Sequence, residues 1–135
     1  MPGLLRVLLL GFAWLPLAFT MYSAQSLWFA GTGEWAYARA PAHALYIGYF
    51  GSLLVAMVTR VTQGHSGRPL ELGRPAAIAF ALVQLTALLR IAAEARSDAL
   101  AWQCAAAALW LLAFLPWVLR SAGIYLRPRA DGKPG

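Results

Sequence analysis

Four stretches of this chain are apolar for long enough to cross a lipid bilayer, and nothing else in the sequence limits its fold as strongly. A crossing helix needs about 20 mostly apolar residues, because the hydrocarbon core is about 30 Å thick and each residue adds about 1.5 Å. The stretches cover about 7–29, 42–61, 75–93 and 99–119, and the first contains no charged residue. The connections carry the polar residues. Gly31, Thr32, Gly33, Glu34 and Arg39 come first, then a Gly/Pro/Arg-rich loop, then Glu94 to Asp98, and residues 127–135 form a polar tail. In hydrocarbon the backbone must satisfy its own hydrogen bonds, so only helices and closed barrels cross. These segments are Leu/Ala-rich and about twice the length of a barrel strand. The expected fold is an all-α integral membrane protein, with residues 1–135 forming a single domain of four transmembrane helices.

Composition agrees. Hydrophobic residues make up 61% and charged residues 12%, against about 45–50% and 25% in soluble domains. That excludes intrinsic disorder and leaves too little charge to cover a water-soluble surface. The net charge of +6 does not indicate nucleic acid, because the basic residues lie between apolar runs rather than on one face. Cys104 is the single cysteine, so neither an internal disulfide nor a cysteine-based zinc site is available. There is no glycine-rich nucleotide loop, no carboxylate pair within a span and no Ser/His/Asp set. Hydrolase and transferase chemistry therefore has no residues to run on, and the paired broken helices of small transporters are absent.

The first stretch follows Arg6, as a secretory signal would. It is longer than a signal core, and Tyr22-Ser23-Ala24 is a poor cleavage site, so a retained span is expected. Four spans put both termini and the middle loop on one side. That side holds Arg6, Arg60, Arg68, Arg74, Arg120, Arg127, Arg129 and Lys133, against Arg39, Arg96 and at most Arg90 on the other. The bias places both termini in the cytoplasm. Trp28, Trp35 and Trp102 then fall at the outer interface and Trp117 at the inner one, with Trp14 and Trp110 deeper as packing residues. Pro16 and Pro116 are expected to kink their spans.

The second span is the most informative. On a helical wheel Gly48, Ser52, Val55, Thr59 and Thr62 share a small-residue face suited to close helix packing. His43 falls away from it, with Ile47, Phe50, Leu54, Met57 and Val61. His43 and His65 lie about 33 Å apart along one helix, too far to ligate one metal within one chain. The soft donors are few: Met21, Met57 and Cys104. His43 suits haem iron or copper, and equally suits a polar helix start after Pro41. The loop Gly64-His65-Ser66-Gly67-Arg68-Pro69 could hold an anion on its amides with Arg60, Arg68 and Arg74 nearby, or those arginines simply set topology and meet lipid headgroups. Arg90 is the clear charge inside a span, which marks function or a partner. It either pairs with Glu94 four residues on, snorkels outward, or holds a haem propionate. Gln84 and Gln103 are placed to hydrogen-bond between helices, and Cys104 reads as a buried small hydrophobe.

The run His43-Ala44-Leu45, Gly48, Met57-Val58-Thr59-Arg60 and Gly64-His65-Ser66-Gly67-Arg68-Pro69-Leu70, with Arg90 and the Pro128-to-Gly135 tail, resembles the C-terminal part of the NnrS family. The resemblance covers nearly the whole chain and is weakest in the first span. It implies a multi-pass protein of the bacterial inner membrane, linked to nitric oxide metabolism and nitrosative-stress defence, with haem and copper as cofactors. It makes His43 and His65 the first candidate metal ligands, Met57 a weaker one, and Arg90 a cofactor-binding residue. Family members have about three times as many spans. A site here would then be completed by a homo-oligomer or a larger membrane-protein partner. The alternative is a metal-free accessory or assembly subunit of a larger membrane complex.

Overall fold

The structure, a computed structural model, describes residues 3–132. Lys133, part of the sequence-based charge count, lies outside the described residues, as do Pro134 and Gly135. Four helices follow one another: α1 (Gly3–Thr32), α2 (Ala40–His65), α3 (Arg74–Ala93) and α4 (Ala99–Tyr125). All four are long and apolar enough to cross a membrane, and the described residues contain no strand. Each helix extends past its apolar stretch or matches it, because interfacial residues continue the backbone ladder after the hydrocarbon ends. α1 and α4 continue through Pro16 and Pro116.

Sequence explains where the helices stop. Gly33 takes a left-handed conformation (φ +73), and its amide closes on the Phe29 carbonyl at 2.8 Å, a glycine C-cap. α2 and α3 each start with proline in the first turn, where the missing N–H has no partner to lose.

α2 lies between α1 and α3, while α4 packs mainly along α3. The most apolar windows of α2 and α3 are 39% buried and that of α4 is 11%, so α4 is the least covered of the four. The small-residue face of α2 packs as expected: Gly48, Ser52, Val55, Thr59 and Thr62 are all buried. At Gly48 the Trp14 indole lies directly on the backbone, and a Cβ would overlap the ring.

Several polar groups within the spans are paired across helices. Trp14 Nε1 of α1 donates to Gln84 Oε1 of α3 at 2.6 Å, and Gln84 Nε2 donates to Ser52 Oγ of α2 at 2.7 Å. Lower down, Trp117 Nε1 of α4 donates to Thr59 Oγ1 at 2.9 Å, and Thr62 donates to the Tyr125 hydroxyl at 3.2 Å. Gln84 therefore bridges helices as its sequence position suggested, and Trp14 is a packing residue. Trp117 is buried against Thr59. One expectation fails: Cys104 is exposed, because α4 turns that side away from its neighbours.

The contact at Gly48 gives a direct test. Gly48→Ala should lower unfolding stability by about 1–3 kcal/mol, the usual effect of overpacking. Gly31→Ala in α1, where a Cβ meets nothing within 4 Å, should be neutral or slightly stabilising. Equilibrium unfolding in mixed detergent micelles measures both.

Candidate functional site

α2 contains a π-helical stretch, Ala44–Gly51, directly after His43. Such segments close i→i+5 hydrogen bonds and bring residues five apart nearly over one another. On a regular wheel His43 falls about 140° from Gly48. The π-helical stretch removes much of that angle and swings His43 toward the packed side of α2. Its side chain is 15% exposed and meets α3 there. The sequence-based wheel, drawn at one fixed angle per residue, puts His43 on the wrong face for this reason.

His43 meets Arg90 and Glu94. Arg90 Nη2 lies 3.0 Å from His43 Nε2, and Glu94 Oε1 lies 3.1 Å from the same nitrogen. Arg90 and Glu94 themselves approach to 3.9 Å. One imidazole nitrogen is thus shared by a donor and an acceptor. With a proton on Nε2 the ring donates to Glu94; without one it accepts from Arg90. The guanidinium and the carboxylate cancel, so the trio with a neutral imidazole carries no net charge at the membrane edge. Of the readings for Arg90, pairing is the one observed, and the histidine is its nearer partner.

The α1–α2 loop holds this arrangement in place. The Arg39 amide donates to Glu94 Oε2 at 3.2 Å. Just before it, Tyr37 and Ala38 have positive φ of 54 and 27, a conformation that non-glycine residues adopt only when surroundings enforce it. Buried Gln25 of α1 enforces it, its Nε2 donating to the carbonyls of Ala36 at 2.6 Å and Ala38 at 2.9 Å. Gln25 and the π-helical stretch are the parts of the site that sequence reading missed. A glutamine near the end of an apolar run was the available signal for the first.

Burial pushes the Glu94 carboxyl up, but the Arg39 amide, the His43 imidazole and the Arg90 guanidinium outweigh it and hold the group below the ordinary carboxylate range.

Two cavities flank the trio. One, of about 510 Å³, is lined by Ile47, Thr86, Arg90, Gln103 and Trp110 among others. The other, of about 430 Å³, lies against Met21, Gln25, Trp28 and Tyr37. The His43 ring lines neither.

The other sequence-derived candidates stand apart. His65 ends α2 at the opposite end, and its ring is exposed. Its contact is a backbone one, the carbonyl accepting from Arg129 Nη1 at 2.9 Å. Met57 is 44% exposed on the outward face of α2. Among the described residues no three His, Cys, Asp or Glu side chains cluster as a metal site. His43 also makes no hydrogen bond through Nδ1 among those residues. The donor set therefore fits one ligand, an Nδ1 whose ring is oriented by a carboxylate on the far nitrogen, as ligating histidines usually are. It does not fit a metal centre closed by this chain alone.

A carboxylate held low in the folded chain adds stability above the ordinary carboxylate range and loses it as pH falls through its lowered value. Glu94→Gln should therefore cost about 1–2 kcal/mol at pH 7 and flatten the acid side of the stability profile below about pH 4. Parallel acid limbs for the two proteins in detergent unfolding would rule out this role for Glu94.

The family model described as NnrS protein matches residues 1–129. No curated protein and no solved structure matches the chain.

Proposed function

The chain belongs to the NnrS family, and on that premise we propose that it is a haem- or copper-associated inner-membrane protein of nitric oxide metabolism or nitrosative-stress defence. The observation that carries the reading is the His43–Arg90–Glu94 trio, an imidazole fixed by charged partners at the edge of a membrane span. In this reading His43 supplies one ligand to a centre completed by a second copy or another chain. Glu94 orients the ring, and Arg90 stands between the ring and the larger cavity, where it meets an acidic group such as a propionate. A bound haem or copper would supply the redox and nitric-oxide-binding chemistry. The protein's part is to orient one ligand, give an acidic group a guanidinium partner and keep water from the apolar cavity wall. Arginine bias supports both termini in the cytoplasm, with His43 toward the outer face.

A second reading, a metal-free accessory subunit of a larger membrane complex, is favoured by the exposed apolar surface of α4. Cofactor content separates the two. Purified in detergent, the full chain is expected to show a Soret band or bound copper by elemental analysis. His43→Ala should lower that content at least about ten-fold, the equivalent of about 1.4 kcal/mol. His65→Ala, at an exposed ring on the opposite end of α2, should lower it less. A colourless, copper-free protein that co-purifies with a larger complex supports the second reading and removes the first.

A further inference from the structure

Two cavities at the terminus-bearing end of the bundle share the side chains of Arg68 and Arg120. The inner one, about 30 Å³, reaches Thr59, Thr62 and Trp117 and has room for about one water. The outer one, about 340 Å³, is lined by Arg68, Leu119, Arg120, Gly123, Ile124 and Arg127. Arg120 and Arg127 are two turns apart on one face of the α4 segment. A Cβ at Gly123, between them, would meet nothing within 4 Å, so bare backbone forms that part of the wall. Arg68 comes from the α2–α3 loop, where its amide is fixed on the Gln63 carbonyl at 2.9 Å.

The charges in this wall are unbalanced. Among the described residues the carboxylates at this end are Glu71 and Asp131; neither lines these two cavities, and the Asp131 carboxylate lies against Gly67. Asp131 takes both arms of the Arg129 guanidinium, at 2.9 and 2.7 Å. Arg68 Nη1 is shut off from solvent and has no hydrogen-bond partner among the described residues. A shielded cationic N–H without an acceptor is unfavourable. Arginines that only set topology need no more than water. Here three guanidiniums from two segments surround one volume instead. Guanidinium offers five donors and no acceptor, in a fork that matches a tetrahedral oxyanion.

The geometry points to a phosphate-binding site, with Arg68 and Arg120 holding the phosphate oxygens and Arg127 closing the outer side. The site is independent of the His43 trio and of any cofactor there. A phosphate at the membrane boundary has two sources, a lipid headgroup or free phosphate, and the test has an arm for each. The full chain is purified in detergent. Native mass spectrometry with added phosphatidylglycerol, against phosphatidylcholine, reads the lipid source. Thermal melting in inorganic phosphate, against chloride at equal ionic strength, reads the free one. Saturable binding is expected in at least one arm, and that arm identifies the source. Arg68→Gln and Arg120→Gln should each weaken it at least ten-fold. Gly123→Leu fills the cavity without changing charge and favours the helix, and should weaken binding comparably. Arg60→Gln removes a charge from the same end outside both cavities and should change binding less than two-fold. The proposal is overturned if neither arm saturates, if Gly123→Leu binds at full strength, or if Arg60→Gln weakens binding as much as Arg68→Gln.

Discussion

Lipid offers no hydrogen bonds, so each polar group that α2 carries into the bundle has to be met by another helix. Ser52 meets Gln84, Thr59 meets Trp117 and Thr62 meets Tyr125. Bonds of this kind contribute about 0.6 kcal/mol each on average, reaching about 1.7, so they do not hold the bundle together by themselves. Close packing does more of that, as where the Trp14 indole lies on the Gly48 backbone. The hydrogen bonds act on register. Each joins a fixed level of α2 to a fixed level of a neighbour, and a slide by one residue would leave both partners unpaired in hydrocarbon.

The same constraint shapes the His43 end. An arginine inside a span is tolerated when paired, and Arg90 reaches both His43 and Glu94. That pairing requires His43 on the α3 side of α2, which a regular helix would not provide. The π-helical stretch provides the turn, and Gln25 fixes the strained loop that delivers the Arg39 amide to Glu94. Distortion of α2 and strain at Tyr37 and Ala38 thus converge on the His43–Arg90–Glu94 cluster. Concentration of irregular backbone around a polar cluster is characteristic of functional sites.

How much of this could be read beforehand follows from the periods involved. Four helices and the small-residue face of α2 repeat every few residues and were legible in the sequence. Arg90 stood out as a charge in an apolar run, and Glu94 as its neighbour one turn on. The approach of His43 was not legible, since a π-helical stretch leaves no regular signature and shifts the phase of everything before it. The exposure of Cys104 and the burial of Trp117 depend on which side of α4 meets α3. α4 is apolar all round, and a helix of that kind has no pattern to reveal its buried face.

The two ends of α2 treat charge in opposite ways. At the His43 end Arg39, Arg90 and Arg96 are matched in number by Glu34, Glu94 and Asp98, and the half-buried Arg90 and Glu94 both meet the His43 ring. At the other end seven arginines of the described residues stand against Glu71 and Asp131, and one guanidinium nitrogen is both shielded and unpartnered. A ligand that binds only the folded arrangement stabilises it by mass action. An anion bound among Arg68, Arg120 and Arg127 would act in that way, and Arg68 Nη1 has no hydrogen-bond partner to give up for it among the described residues. A ligand that takes Nε2 of His43 has to displace Arg90 or Glu94, and its net affinity is lowered by whatever those contacts were worth. A ligand on Nδ1 requires the proton on Nε2, which keeps Glu94 as the group that aims the ring and gives up the hydrogen bond from Arg90. Glu94 is thus the partner that a ligand on Nδ1 would leave in place, and Arg90 the one it would release.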